Sequence, residues 1–459
     1  MDNIFFLSCF LPLALIVYRL MPGIKSKNAV LLCFSLLFYS FGSISSLGLL
    51  LAVALMNYLL GLCLKGRTFR KAAVGIGVVL NLTFLGYFKY ADFLLSGIFG
   101  LEPLRAGIAA PLGISFFIFK CISYLVDAYR DGRTATASFP KLLLYISFFP
   151  QITMGPITRF CEFAPQLKAR PNGVGMVAAG LRRFAAGLGK KILIAGTLAS
   201  VADGVFALET VDIRLAWLGA VSYCLQLYFD FSGYIDMVVG MGTCFGFATR
   251  ENFNHPYTAV SVGDFWRRWH MSLSTWFKDY LYIPLGGNRK GSFRAGINKS
   301  IVFLLCGLWH GASWTFVIWG LWHGLFSLLE SMKVIPAKKL ETGKGRIIGH
   351  IYTLLVVCVG FVMFRATTVA QGFEIIAAMF AGFRFSAAGT VALKTLVNPE
   401  TILAMAAGIV FSMPVFQKLV RAMGKSAEAL CSIGALILLV LCMIKMAAGD
   451  FAPSIYAQF

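Results

Sequence analysis

The chain has 459 residues, of which 58% are hydrophobic and only 13% charged. A soluble domain carries about a quarter charged residues, so this composition excludes an ordinary water-soluble fold and points to a membrane protein. The net charge of +21 lies in short clusters between apolar runs. That pattern argues against nucleic acid. It favours cytoplasmic loops that meet anionic lipid headgroups and a phosphorylated cosubstrate.

The chain opens MDNIFFLSCFLPLALIVYRL, with Asp2 and no base ahead of the apolar run. It reads as a first membrane helix, not as a signal peptide. Apolar segments follow near 29–41, 44–64, 72–88, 108–129, 174–208, 214–248, 297–330, 347–365, 370–383, 400–420 and 428–448. They predict an all-α, polytopic helical bundle of roughly ten to thirteen spans or half-spans. Between the 108–129 and 174–208 segments, SFFPQITMGPITRF (147–160) holds two prolines and a glycine. It predicts a re-entrant or broken element, tolerated only where protein or a water-filled cavity surrounds it. Basic residues after the first, third and fifth spans (Arg19, Lys25, Lys27; Lys65, Arg67, Arg70, Lys71; Arg130, Arg133) put those loops in the cytoplasm and the N-terminus outside. Eleven scattered cysteines form no C-x-x-C pair and read as small membrane-helix residues. No internal repeat is evident, which disfavours an inverted-repeat transporter.

The character changes from 250 to 299, where eight bases and three acids fall in fifty residues. In VGDFWRRWHMSLSTWFKDYLYIPLGGNRKG the apolar Val262, Phe265, Trp266, Trp269, Leu273, Trp276, Phe277, Tyr280 and Leu281 recur at three and four. This spacing predicts one amphipathic helix at the cytoplasmic membrane interface. His270 falls near its apolar face. It is either a hydrogen-bonded interfacial histidine or a functional one. Pro284-Leu285-Gly286-Gly287 then ends the helix. Arg289 and Lys290 beyond it are phosphate-binding candidates, although an ordinary basic turn has the same composition.

INKSIVFLLCGLWHGASWTFVIWGLWHGLF follows, with WHG triplets at 309–311 and 322–324. An ionisable group inside an apolar segment is costly, which makes His310 and His323 functional candidates. Neutral imidazole suits a general base near neutral pH. Thirteen residues apart, the two share nearly one face if the helix is continuous. Packing between helices is the competing account of both. Cys306, four residues before His310, leaves a thiol–imidazole pair open. Zinc on His270, His310 and His323 has no supporting ligand spacing, and no metal is expected.

These residues carry a resemblance. DFWRRWHMSLSTWFKDYLYIPLGGNRKG with LCGLWHGASWTFVIWGLWHG resembles the membrane-bound O-acyltransferase family, and is similar to its bacterial alginate O-acetyltransferase branch. YFDFSGYIDMVVGMG (228–242) and FFPQITMGPITR (148–159) also fit. The resemblance implies one membrane domain over 1–459, with a through-tunnel. Its catalytic segment, 250–324, would be a cytoplasmic amphipathic helix plus an intramembrane WHG hairpin. His310 matches the family's in-membrane histidine, a base for a hydroxyl attacking a thioester. His270 matches its second polar position, which orients the donor or polarises its carbonyl. His323 fits the second WHG motif; Trp309 and Asp230 are possible supporting residues. Acetyl-CoA is the implied cosubstrate, with no bound cofactor. Arg267, Arg268, Lys278, Arg289 and Lys290 are candidates for its phosphates. Tyr456, in the terminal PSIYAQF, is either an acyl relay or an aromatic anchor.

The reaction so implied acetylates an exported, alginate-like envelope polysaccharide at a bacterial inner membrane. Transfer is direct or runs through an extracytoplasmic, hydrolase-like acetyltransferase partner. Peptidoglycan O-acetylation and teichoic acid D-alanylation are the alternatives within the class. A proton-coupled transporter or flippase, for which Asp230 and Asp236 are the intramembrane carboxylates, and a non-catalytic scaffold are alternatives outside it.

Overall fold

The structure is a computed structural model that describes residues 4–66, 69–102, 110–136, 138–424 and 426–449. Among the described residues every regular element is helical. The chain divides into two compact units, one formed by 1–184 and 238–250, the other by 185–237 and 251–459.

The first unit holds α1 (Leu11–Leu20), α2 (Ile24–Ser40), α3 (Ile44–Cys63), α4 (Arg70–Lys89), α5 (Ala91–Gly97), α6 (Ile114–Arg130), α7 (Phe139–Ser147) and α8 (Phe160–Phe163). The N-terminal part of α9 (Val174–Gly189) also belongs to it. Asn57 of α3 and Asn81 of α4, both fully buried, join the two helices through paired amides at 2.9 and 3.1 Å. Such amide pairs tie apolar helices together where packing alone discriminates little. As its prolines and glycine dictate, the 147–160 stretch leaves the helix: α7 ends at Ser147 and α8 begins at Phe160. The irregular backbone between them is buried almost throughout. Gly113, at φ +69°, lets it approach closely, since a Cβ there would lie 2.1 Å from the Ile152 carbonyl oxygen.

The second unit begins with the rest of α9. A π-helical turn, Lys190–Ala195, leads into α10 (Gly196–Phe206), and α11 (Ile213–Cys244) follows, its residues from 238 on belonging to the first unit. Asp212 starts α11 by accepting from the Arg214 and Leu215 amides at 2.9 and 3.2 Å. The Arg214 guanidinium beside it holds its carboxyl below the ordinary carboxylate range. Next come α12 (Val262–Arg268), α13 (Met271–Phe277), α14 (Gly291–His310), α15 (Trp314–Ser331) and α16 (Gly345–Arg365). Then follow α17 (Val369–Ala381), α18 (Ala387–Leu396), α19 (Pro399–Phe411), α20 (Val415–Met423) and α21 (Ser426–Ala447).

Among the described residues, five helical stretches are long and apolar enough to cross a membrane: α3, α4, Val174–Phe206, α16 and α21. A sixth is added if α18 and α19, bent by 70°, count as one broken span. Several of the apolar runs counted in the sequence are therefore shorter or interrupted helices.

The centre of the second unit is the α14–α15 hairpin. Glycines set its closeness: a Cβ on Gly307 would lie 2.3 Å from the Phe316 carbonyl oxygen, and one on Gly320 would lie 2.6 Å from that of Phe303. Ser300 Oγ donates to the Gly324 carbonyl at 3.0 Å. These contacts are backbone against backbone, so no rotamer change relieves a larger side chain. Gly307→Ala is expected to destabilise the protein by about 1–3 kcal/mol through overpacking. Gly48→Ala, in α3 with nothing within 4 Å, is the matched control. Thermal unfolding in detergent reads the difference; equal midpoints would refute the close-packed hairpin.

Candidate active site

The amphipathic pattern of 262–281 does not form one helix. It breaks at Trp269-His270, between α12 and α13, and continues beyond α13 as a π-helical turn, Lys278–Tyr282. The apolar period runs across the break because both pieces bury the same kind of face. His270 adopts left-handed backbone, φ 45° and ψ 54°. For a non-glycine residue this costs on the order of 1–3 kcal/mol and persists only when its surroundings over-determine it. Those surroundings are the segment 252–254. The Asn252 carbonyl accepts from the Met271 amide at 2.9 Å, Asn252 Oδ1 accepts from the Ser272 amide at 2.8 Å, and the Asn254 amide donates to Arg268 at 2.9 Å. Sequence reasoning missed Asn252, because nothing in its neighbourhood signals a partner eighteen residues away.

Two further contacts fix α12. Ser261 Oγ accepts from the Asp264 amide at 3.0 Å. The Glu330 carboxylate of α15 accepts from the Val262 and Gly263 amides at 2.7 and 2.9 Å. A carboxylate on the free N–H groups of a helix start is favourable twice over, by hydrogen bonding and by the helix dipole. It docks α12 on the hairpin.

His310 is the last residue of α14. The chain turns at 311–313, so His310 and His323 lie on two antiparallel helices, not along one face of a single helix. Phe316 packs where a Cβ on Gly311 would be, 2.3 Å away, which is why glycine stands at the turn. His310 is 6% exposed, with ring centroids of Trp309, Phe364 and Trp319 at 4.9, 5.0 and 5.3 Å. Trp309, also buried, lies 6.1 Å from the His270 ring, so one indole borders both imidazoles. His270 is 2% exposed and meets the edge of Phe231 at 4.7 Å.

His323 is fully buried one layer further along, between Trp266 at 5.0 Å and Trp319 at 5.1 Å. Gly360 of α16 makes room for it: a Cβ there would lie 2.6 Å from His323 Nε2. The three imidazoles are thus separated by indole rings. Among the described residues no group of three or more His, Cys, Asp or Glu converges as a metal-ligand set.

Asp230 immediately precedes Phe231, the ring that meets His270, on α11. It pairs with Lys191, which is also buried, and Asp236 pairs with Lys190 at 2.6 Å. Both lysines come from the π-helical turn and both carboxylates from α11. Of the basic candidates, Arg267 and Arg268 are tied to Asp264 at 3.2 and 3.0 Å. Lys278, Arg289 and Lys290 are exposed, the last two beyond a Gly286-Gly287 turn with φ +106° and +57°. Tyr456 lies outside the described residues.

Lys191→Met removes one partner of a buried pair and is expected to cost about 3–5 kcal/mol, whereas the double variant Lys191→Met/Asp230→Leu recovers most of it. Unfolding midpoints of the two compare directly; a double variant as unstable as the single would refute a structural pair.

The comparisons with known proteins agree with this architecture. The family model of the membrane-bound O-acyltransferases matches residues 36–369. The chain is 39% identical to a probable alginate O-acetylase of Pseudomonas putida, over 99% of both chains. It is 41% identical to a probable alginate O-acetylase of Azotobacter vinelandii, over 82% of this chain and 77% of that one. Identity to a peptidoglycan O-acetyltransferase of Helicobacter pylori is 35%, over 82% and 78%. With its family match across most of its length and a buried imidazole, His310, at a helix-hairpin tip, the chain belongs to the membrane-bound O-acyltransferase family, and is a membrane enzyme that transfers acyl groups to oxygen.

Proposed function

We propose that this enzyme takes an acetyl group from acetyl-CoA on the cytoplasmic side and delivers it to hydroxyls of an exported, alginate-like polysaccharide. The observation that carries the reading is the pair of buried imidazoles, His270 and His310, bordering one indole in a chain whose relatives are named alginate O-acetylases. His310 is the base. It takes the proton of the attacking hydroxyl as oxygen bonds to the thioester carbonyl carbon. His270 stabilises the negative oxygen of the tetrahedral intermediate. Collapse breaks the carbon–sulfur bond, and the proton passes from His310 to the departing CoA thiolate. The aromatic shell of Phe231, Trp309, Trp319 and Phe364 keeps water from the thioester.

Donor and acceptor reach this point from opposite faces through a tunnel. The acceptor hydroxyl belongs to the glycan or to an extracytoplasmic, hydrolase-like partner that passes the acetyl on. His323 supports Trp266 and Trp319 rather than touching substrate. The exposed bases Arg267, Lys278, Arg289 and Lys290, with Arg268, hold the CoA phosphates. A second acceptor, peptidoglycan, is favoured by the similarity to a peptidoglycan O-acetyltransferase.

The test is acetyl transfer from radiolabelled acetyl-CoA by reconstituted protein, with alginate and peptidoglycan offered separately. His310→Ala is expected to lose at least about a hundredfold in kcat, the low end of general-base catalysis, while folding normally. Equal activity of wild type and variant would end the base assignment. Arg289→Ala/Lys290→Ala should raise the KM for acetyl-CoA several-fold and leave kcat nearly unchanged; an unaltered KM would remove these residues from the donor site.

A further inference from the structure

We propose that Asn252 fixes His270 as the tautomer protonated on Nε2, so that His270 serves as a hydrogen-bond donor to the reacting carbonyl and not as a second base. The inference rests on the reading of His270 given above and names the residue that enforces it.

Asn252 is fully buried. Its side-chain amide has two ends, and the backbone decides which way round they lie. The Ser272 amide can only donate, and it does so to Oδ1 at 2.8 Å. With the oxygen committed there, the NH2 end faces His270 Nδ1 at 3.2 Å. An NH2 group approaches a ring nitrogen only as a donor. Nδ1 must therefore present its lone pair, and the single proton of neutral imidazole sits on Nε2. The alternative, an Nδ1–H donating to Oδ1, is longer, at 3.4 Å against 3.2 Å.

Nε2 itself is buried and has no hydrogen-bond partner among the described residues. An N–H left without an acceptor in a dry interior is costly. The left-handed backbone at the same residue is a second cost borne at one position. Together they describe a donor held ready for an oxygen that arrives with substrate. Asn252 touches no reacting atom in this scheme. It is a positioning residue: the same side chain holds the backbone turn through Ser272 and the proton through Nδ1.

The decisive variant is Asn252→Asp. It keeps the backbone carbonyl for Met271 and an oxygen for Ser272, but puts an acceptor where the NH2 stood. Nδ1 must then carry the proton and Nε2 becomes an acceptor. The loss of one oxyanion donor typically costs about a hundred- to a thousandfold in kcat. That fall is expected here, with the KM for acetyl-CoA within about twofold of wild type. Asn252→Ala should lose stability as well, because the Ser272 amide is orphaned.

Nitrogen-15 NMR of histidine-labelled protein in detergent, with the His270 signals assigned by their loss in His270→Ala, reads the tautomer without any activity. Wild type should show a protonated Nε2 and a bare Nδ1, and Asn252→Asp the reverse. A protonated Nδ1 in wild type overturns the proposal, as does wild-type kcat in an Asn252→Asp protein whose tautomer has reversed. Full activity of His270→Ala would instead overturn the catalytic reading of His270 beneath it, while the spectrum still reports the tautomer set by Asn252.

Discussion

A helix broken inside an apolar interior leaves backbone groups that water cannot reach, and each must find a partner in the protein. The second unit is organised around meeting that requirement. Glu330 receives the first amides of α12, and Asn252 receives those of α13. Both acceptors are side chains or carbonyls from distant sequence. Because the break is satisfied in this way, His270 can occupy a turn that a free peptide would avoid, and its ring is presented from the end of a helix rather than from its side.

The glycines of the hairpin act on the same structure by a different route. Close approach of α14 to α15 brings Trp309, His310, Trp319 and His323 into one continuous run of edge-to-face rings. In a membrane, helices gain little from hydrophobic burial against each other, so small residues and backbone contact supply the cohesion. The tryptophans then fix ring positions on either side of each imidazole. Rigid, water-poor packing of this kind suits an acyl transfer in which hydrolysis is the competing reaction.

The electrostatics follow a separate logic. Lys190 and Lys191 emerge from a π-helical turn, where an extra residue in the helix turns side chains onto the face of α11. There each meets a carboxylate. The charges that stand out in the sequence as isolated acids in an apolar run, Asp230 and Asp236, are thus compensated within the same unit. Their pairing gives them a structural purpose that needs no transported ion.

The sequence by itself determined the helical class, the membrane character and the family, because these depend on composition, on apolar run length and on contiguous motifs such as the two WHG triplets. It also placed the break at 147–160, since proline and glycine act locally on the backbone. Tertiary structure alone decided where the helix carrying His270 breaks. The 3.6-residue apolar period passes through that point undisturbed, and the hydrogen bonds that reverse the chain there come from Asn252, eighteen residues earlier. It fixed the turn of the expected WHG hairpin at 311–313, where Phe316 packs against Gly311. It alone showed which lysine answers Asp230, thirty-nine residues away along the chain. Local propensity is written in neighbouring residues; the satisfaction of a buried polar group is written in whichever distant residue the fold brings to it.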